Sequence, residues 1–315
     1  MLSRAAEALF WIGRYAERAE DTARLLDVHF HQVLENPSTD ESQTAKVITT
    51  VMGRHDTVPA TVREVLELLA FDTENPSAIA GSLTAARQNA RGVRESLSGD
   101  IWECLNTTFL ELPRRVSTAR QFGPAPFFTY VRQRAAMFSG YVASTISRDA
   151  GYDFLALGRS LERADMTARL LAAAVSMPTR DDDWVTTLRA CSAHEAYLRT
   201  YQRGMEVRLV LEFLLVDRLF PRSVLHALTV GDEALARIEP PMERSNRGVH
   251  AYDARRVLGR VRTDLEFLPP DKLLDGLPDR LHRVQQGVSD VSEAIARRYF
   301  SSSAVAAWTH EEADR

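Results

Sequence analysis

A chain of 315 residues exceeds the roughly 100 to 200 residues of one ordinary domain, so its length predicts two units. Its composition, 45% hydrophobic and 26% charged, is that of a globular protein and excludes a disordered or fibrous one. The formal charge of -4 gives no basic field of the kind that nucleic-acid-binding proteins carry, so nucleic acid is not an expected partner.

Every predicted element is a helix. From Leu9 to Leu26, apolar residues are spaced by three and four positions, which is typical of a helix with one buried stripe. The same spacing recurs over 58–69, 83–97, 127–147, 154–171, 184–215, 252–265 and 281–299. Helix-breaking residues predict loops at 36–38, 75–77, 113–126, 177–183, 239–247 and 269–271. The sequence therefore predicts an all-α bundle.

Two blocks of the chain recur at one spacing. Residues 13–26 match residues 158–171 at ten of fourteen positions, and residues 62–76 resemble residues 207–221 at the same separation of 145 positions. The spacing predicts a helical bundle built from two tandem, pseudo-twofold-related repeats of about 145 residues. We place the first unit at 1–150 and the second at 151–300, sharing one core, with 301–315 as a flexible tail.

The repeated helix carries charges in a fixed order, on the face opposite its apolar stripe. In the first copy these charges are Arg14, Glu17, Arg18, Asp21 and Arg24, and in the second copy they are Arg159, Glu162, Arg163 and Arg169. Met166 stands in the second copy where the first has Asp21. The order of the remaining charges is the same in both copies, although the residues between the two blocks differ.

Two interpretations of these charges stay open. In the first, the face is solvated and its i,i+3 and i,i+4 pairs are worth only about 0.3 to 0.5 kcal/mol each. In the second, the charges are buried between helices or around a shared cleft, where arginines hold carboxylate or phosphate groups. Glu17 and Glu162 would then orient the arginines, accept a substrate ammonium, or act as acid and base.

Further candidate residues lie outside the repeated helix. An aspartate precedes a turn in each unit, and the turn after Asp217 contains Arg222 and predicts a helix N-terminus that could bind an anion. Arg87, Arg91 and Arg94 share one helix face, and an exposed basic face is the alternative there. His194 next to Glu195 has no second ligand at helical spacing, so we expect no metal.

The candidate site is therefore a set of arginines with two possible catalytic acids. The catalytic candidates are Glu17 and Glu162. The candidate ligand-binding residues are Arg14, Arg18, Arg24, Arg87, Arg91, Arg159, Arg163, Arg169 and Arg222. The supporting residues are Asp72, Asp165, Asp217, His194 and Glu195.

Common signatures of enzymes and of exported proteins are absent from the sequence. It contains no P-loop, dinucleotide-binding fingerprint, Gly-x-Ser-x-Gly elbow or Cys-x-x-Cys. Two cysteines are too few for a disulfide framework, and Glu7 interrupts the N-terminal region before any apolar run. The longest apolar stretches are far shorter than the roughly 20 residues of a membrane span. We expect a cytoplasmic protein without a transmembrane helix.

Several short groups of residues resemble one known family. They are Leu2-Ser3-Arg4, Trp11-Ile12-Gly13-Arg14, Glu17-Arg18-Ala19, Thr22-Ala23-Arg24-Leu25-Leu26, Ala86-Arg87, Asn89-Ala90-Arg91, Trp102-Glu103, Asn106, Gly158-Arg159-Ser160-Leu161-Glu162-Arg163-Ala164 and Phe220-Pro221-Arg222-Ser223-Val224. Over nearly the whole chain this pattern is similar to the bacterial alpha-E family, a helical family of unknown function. The glutamates characteristic of that family correspond to Glu17 and Glu162.

The resemblance implies a setting more than a reaction. Members of the family typically lie beside, or are fused to, a circularly permuted ATP-grasp protein, often with a transglutaminase-like peptidase nearby. The implied setting is an ATP-dependent amidoligase system in which ATP and Mg²⁺ bind to the ATP-grasp partner and no cofactor binds to this chain. The second copy lacks the Arg-x-Asn-Ala-Arg segment, so the resemblance implies an asymmetric site.

Three functional hypotheses follow. The leading one is an accessory subunit that binds an ATP-grasp ligase and holds its carboxylate or peptide substrate through the motif arginines. The second is an independent enzyme that uses Glu17 or Glu162 as acid or base on an amide or ester. The third is a purely structural helical module in which the charges fix the helix register. The sequence does not separate these hypotheses, and it leaves homo-oligomerisation open.

Overall fold

The computed structural model of the chain describes residues 3–36, 40–54, 59, 61–176, 181–239 and 253–300. Within these ranges there are thirteen α-helices and no strand. The helices are α1 (Ser3–Glu35), α2 (Glu41–Val51), α3 (Val62–Leu66), α4 (Ile79–Gly92), α5 (Gly99–Phe122), α6 (Ala125–Thr145), α7 (Ala150–Ser176), α8 (Asp181–Ala190), α9 (His194–Tyr201), α10 (Val207–Val216), α11 (Val224–Ile238), α12 (Asp253–Glu266) and α13 (Leu277–Tyr299). A π-helical turn (Glu67–Phe71) and two 3-10 turns (Arg94–Ser96 and Pro270–Lys272) complete them. The all-helical prediction is confirmed.

The two long motif helices, α1 and α7, pack along each other at the centre of the bundle. α4 and α6 pack against α1, whereas α11 and α13 pack against α7. The predicted apolar stripe of α1 is buried, and it joins apolar side chains of both predicted units in one continuous core. Among the helices described, none has the length and apolar character needed to cross a membrane.

Close packing of α1 on α7 depends on one glycine in each helix. A Cβ atom added to Gly13 would lie 2.2 Å from the carbonyl oxygen of Leu155, and one added to Gly158 would lie 2.1 Å from the carbonyl oxygen of Phe10. Real Cβ atoms do not approach backbone oxygens so closely, so only glycine fits at both positions. The helix backbones are therefore in contact where the charged residues of the motif begin.

The loop predicted at 113–126 is wrong over most of its length. α5 continues through Pro113 and ends at Phe122, because Pro113 is exposed whereas Leu112 and Val116, to one side of it, are buried. Proline inside a helix costs about 3 kcal/mol, since it removes one backbone hydrogen bond and crowds the preceding turn. Here burial of the apolar face offsets that cost, and the chain turns only at Gly123, where φ is 101°.

The single helix predicted over 184–215 is also wrong. Ser192 and Gln202 adopt left-handed conformations with φ of 53° and 49°, which divide this stretch into α8, α9 and α10. Apolar spacing continues across both breaks, so periodicity alone did not reveal them. α2 was not predicted, because its buried face includes Thr44 and Thr49 and so carries a weak apolar signal.

Several other predicted boundaries differ from the structure or lie beyond it. The helix predicted at 83–97 is α4, which ends at Gly92 and is followed by the 3-10 turn 94–96. The helix predicted at 58–69 starts at Val62, after the N-cap residue Thr61. The predicted tail 301–315 and most of the loops predicted at 177–183 and 239–247 lie outside the described residues.

We predict that Gly13→Ala lowers the free energy of unfolding by about 1 to 3 kcal/mol, because the new methyl group must push α1 away from the Leu155 carbonyl. The matched control is Gly140→Ala in α6, where a Cβ meets nothing within 4 Å. That change should stabilise the helix by about 0.5 to 1 kcal/mol. Urea denaturation of both variants measures the difference, and a neutral Gly13→Ala would contradict the close contact.

Candidate functional site

The predicted site residues of the two motif helices meet in a cluster of ion pairs between α1 and α7. We name the following residues the Arg–Glu cluster: Arg14, Glu17, Arg18, Glu20, Asp21, Arg159, Glu162, Arg163 and Arg222. Both glutamates are almost completely buried, with 1% of Glu17 and 3% of Glu162 exposed. The motif charges therefore lie between helices and do not form a solvated face.

Glu162 of α7 receives two arginines from α1. Arg14 Nε lies 2.6 Å from Oε2 of Glu162, and Arg18 donates to both carboxylate oxygens, with Nε at 2.5 Å and Nη2 at 2.8 Å. The remaining donors reach further into the bundle. Arg14 Nη1 donates to Ser292 Oγ at 2.8 Å, and Arg18 Nη1 donates to the carbonyl of Pro76 at 3.4 Å. Bidentate pairing of this kind fixes the orientation of Glu162 as well as its charge.

Glu17 of α1 receives three arginines from the other half of the chain. Arg163 Nε lies 2.6 Å and Arg222 Nη1 lies 3.3 Å from Oε1 of Glu17, whereas Arg159 Nε lies 3.3 Å from Oε2. Arg163 Nη1 also donates to the carbonyl of Pro221 at 3.3 Å. Each glutamate is thus held by arginines of the opposite motif helix.

The Glu17 half of the cluster contains an extra group of charges around Arg222. Its Nη2 donates to Glu20 at 2.7 Å, and its Nη1 forms a short contact with Asp21. Arg222 precedes the N-cap residue Ser223 of α11, whose Oγ accepts from the backbone of His226 at 3.1 Å. The predicted helix cap after Asp217 is therefore present, but its arginine binds the chain's own carboxylates.

The cluster ends on each side at one outer arginine, Arg24 on α1 and Arg169 on α7. Arg24 pairs with Glu20 at 2.6 Å and Arg169 pairs with Asp165 at 2.9 Å, both at i,i+4 spacing. Arg24 Nη1 also donates to Ser192 Oγ at 3.1 Å. On the other side, a Cβ added to Gly53 would lie 2.7 Å from Arg169 Nη1. Each outer arginine thus contacts a turn that follows a short helix.

Neither of these two turns was predicted from the sequence. Gly53 follows α2 and Ser192 follows α8, and both residues are left-handed. The residue after each left-handed residue donates its backbone N–H to a carbonyl five positions earlier. Arg54 donates to Thr49 and Ala193 donates to Leu188, which is the Schellman ending of a helix. The two turns are 139 positions apart instead of 145, and the helices before them share little sequence, so no repeat signal marked them.

The remaining predicted residues lie elsewhere. Asp72 and Asp217 form turns, with Oδ1 of each accepting from a backbone N–H two residues ahead at 2.9 and 2.8 Å. Arg87 donates to Asn106 at 3.2 Å on the far side of α4, and Arg91 is exposed. His194 and Glu195 begin α9, and the described residues contain no group of three or more His, Cys, Asp or Glu that could hold a metal ion.

The protonation states follow from burial and from the balance of neighbouring charges. Burial alone would raise the pKa of Glu162, but Arg18 and Arg14 outweigh it and lower that pKa to about 2. The pKa of Glu17 is lowered as well, because Arg163, Arg222 and Arg159 outweigh its burial. Burial raises the pKa of Asp21 to about 7 against the Arg222 guanidinium, and the carboxylates of Glu17 and Glu20 add to this rise.

The geometry of the cluster favours holding two helices over transferring protons. A general acid or base needs a pKa near the working pH and access to a substrate proton. Glu17 and Glu162 have neither, since both are buried and both stay ionised beside arginines. Their carboxylates already accept the hydrogen bonds that a substrate ammonium would donate.

Comparison with known proteins matches the chain to a family of helical proteins with a Glu-Arg motif. A family model described as "A predicted alpha-helical domain with a conserved ER motif" matches residues 1–300. The Arg–Glu cluster contains two Glu-Arg pairs, Glu17-Arg18 and Glu162-Arg163.

Two relatives are longer than this chain. An uncharacterized protein of Mycobacterium bovis is 26% identical over 309 residues, an alignment that covers 87% of this chain and 32% of that protein. An uncharacterized protein of Mycobacterium tuberculosis is 25% identical over 309 residues, with the same two shares. The chain therefore spans about a third of the length of these curated relatives. No solved structure matches the chain significantly.

We predict that Glu162→Gln lowers the free energy of unfolding by about 3 to 5 kcal/mol, because it leaves two buried guanidinium groups without their counter-charge. Glu67→Gln is the matched control. Glu67 pairs with Arg120 at 2.6 Å, but its side chain is 46% exposed, so its loss should cost at most about 1 kcal/mol. Equal losses for the two variants in urea denaturation at pH 7 would show that the cluster does not hold the helices together.

We predict that Asp21 makes the protein less stable as the pH rises from about 4 to about 7. The folded chain binds the Asp21 proton more tightly than the unfolded chain, whose pKa lies near 3.8, so this contribution is lost on ionisation. The lowered pKa of Glu162 acts oppositely and favours folding above about pH 4.5. Asp21→Asn should therefore abolish part of the decline in the free energy of unfolding between about pH 4 and about pH 7. Parallel stability curves for the two proteins would contradict the assignment.

Proposed function

The chain belongs to the Alpha-E family, and from that premise we propose that it is a non-catalytic helical module that works beside an ATP-grasp ligase in an amide-bond-forming system. In this proposal, ATP and Mg²⁺ bind to the ligase, and a transglutaminase-like peptidase is a further candidate partner. The module contributes a rigid helical body and the surfaces on it.

The observation that carries the proposal is the internal neutralisation of both motif glutamates. Glu17 forms ion pairs with three arginines and Glu162 with two, and the two glutamates are 1% and 3% exposed. A charge network buried this completely fixes the register of the helices that carry it. The motif arginines therefore hold the chain's own carboxylates, and the work of recognition falls to the outer surface.

The length of the mycobacterial relatives also supports a module. In those proteins the matched segment is about a third of the chain, so the segment is joined to roughly twice its own length of other sequence. A helical unit that is part of a longer polypeptide in its relatives is suited to work in contact with another domain or chain.

We further propose that the module consists of two repeats related by a pseudo-twofold axis between α1 and α7. Reciprocal contacts at a separation of 145 positions support this arrangement. The backbone contact of Gly13 with Leu155 corresponds to that of Gly158 with Phe10. Likewise, the hydrogen bond from Arg18 to Pro76 corresponds to the one from Arg163 to Pro221.

An independent enzyme that uses Glu17 or Glu162 as acid or base has no support in this geometry. Both carboxylates would have to leave their arginines and reach solvent before they could contact a substrate, and their lowered pKa values keep them ionised. We therefore retain a single functional proposal.

Co-purification with a circularly permuted ATP-grasp protein from the same organism tests the proposal. We expect the two proteins to elute together at a fixed ratio in size-exclusion chromatography at low salt, and amide formation to require the ligase. The module alone should show no turnover. Separate elution at micromolar concentrations of both proteins would overturn the proposal, as would turnover by the isolated chain that Glu17→Gln abolishes without unfolding it.

A further inference from the structure

A second arginine-rich surface lies on the first unit, away from the Arg–Glu cluster. It comprises Arg87, Arg91 and Arg94 at the C-terminal end of α4 and just beyond it, with Trp102, Asn106 and Phe109 on the facing side of α5. We name these six residues the α4–α5 face. The spacing of the three arginines places them along one side of the chain, and the three α5 residues follow one another at helical steps of four and three.

Aromatic rings hold two of these arginines in place. The Arg87 guanidinium lies 4.9 Å from the ring centre of Phe109 and 5.6 Å from that of Trp102, and its Nε donates to Asn106 at 3.2 Å. The Arg94 guanidinium lies 4.6 Å from the same Trp102 ring. Stacked guanidinium groups keep their charge and their outer N–H donors, and less side-chain entropy remains to be lost when a ligand binds.

The arginines of this face have no carboxylate partner within the described part of the chain. No ion pair joins Arg87, Arg91 or Arg94 to an acidic side chain there. Arg91 and Arg94 are exposed to solvent. The motif arginines differ in this respect, since carboxylates of the protein itself neutralise them. The α4–α5 face therefore presents three positive charges that no carboxylate of the described part of the chain neutralises.

The corresponding place in the second unit provides an internal comparison. Asp232 of α11 lies 145 positions after Arg87, and it pairs with two arginines of α12, Arg255 at 3.3 Å and Arg262 at 3.6 Å. The space between α11 and α12 is thus closed by ion pairs of the chain itself. In the first unit the acidic side chain is absent and an aromatic pair stands beside the arginine.

We propose that the α4–α5 face binds an acidic segment of a protein partner through its carboxylates. Arginine forks bind carboxylates through paired hydrogen bonds. Trp102 and Leu110, which follows Phe109 in α5 and is 65% exposed, offer apolar contact to the same segment. The inference rests on the proposed function in that it names the docking surface of the module.

The charges around the face favour a peptide over a nucleic acid. Glu95, Asp100 and Glu103 are exposed beside the arginines, and they would repel a continuous phosphate backbone. A peptide can place some of its carboxylates on the arginines and turn the others away from these acids, because each carboxylate lies at the end of a flexible side chain.

Fluorescence anisotropy with a fluorescein-labelled deca-glutamate peptide tests this proposal. A deca-glutamine peptide serves as the neutral probe, and a labelled single-stranded DNA of ten thymidines serves as the phosphate probe. The test variant is Arg91→Gln/Arg94→Gln. The matched control is Arg260→Gln/Arg283→Gln, which removes two exposed arginines from α12 and α13. Thermal unfolding checks that both variants are folded.

We expect the intact protein to bind deca-glutamate in a salt-dependent manner and to bind deca-glutamine at least about tenfold more weakly. The test variant should weaken deca-glutamate binding about tenfold, whereas the control should change it less than about twofold. Equal binding of the two peptides, or equal losses in the two variants, would overturn the proposal. Tighter binding of the DNA through the same two arginines would overturn it in favour of a nucleic-acid surface.

The peptide assay contains no ligase, so its result is independent of the co-purification experiment. Failure of deca-glutamate to bind removes the acidic-segment surface and leaves the association with a ligase to be judged by elution alone. Failure of co-elution removes the ligase partner and leaves the peptide result standing.

Discussion

The structure depends on reciprocal ion pairs between two buried helices, α1 and α7. Glu17 and Glu162 each lie on one motif helix and accept hydrogen bonds from arginines of the other. Removing an ionised carboxylate from water is costly unless guanidinium groups replace the lost hydration, so a shift of either helix by one residue would leave a buried charge unpaired. Glycines at positions 13 and 158 bring the backbones close enough for these ion pairs, and the other helices pack around the fixed pair.

The helices of this fold could be predicted from apolar spacing, but the direction of the charged face could not. Periodicity describes one helix at a time, and a polar face looks the same whether it meets water or another polar face. Burial of Glu17 depends on Arg163 and Arg222, which are far away in sequence. The repeat indicated that the order of the charges matters, since weak surface pairs do not require one order, but it left the solvated and the buried interpretations both open.

The failures of prediction share a physical origin in tertiary packing. α5 passes through Pro113 because its other face is buried, and apolar spacing continues across Ser192 and Gln202 although the backbone turns there. One feature of the site was readable in advance. Position 166 has Met where position 21 has Asp, and position 77 has Ser where position 222 has Arg, so both partners of the Asp21–Arg222 pair are replaced together at a spacing of 145.

These differences between the two halves of the chain affect how the proposed module would bind a partner. A pair of repeats related by an axis would present the same surface twice, and a partner would meet two equivalent sites. Here Asp232 closes the space beside α12 with ion pairs, whereas Arg87 lies in the corresponding part of the first unit against Trp102 and Phe109 without an acid. The shared interior requires both halves to keep the motif helix. The outer helices are free of that requirement, and so one half can satisfy its own charges while the other presents them to a partner.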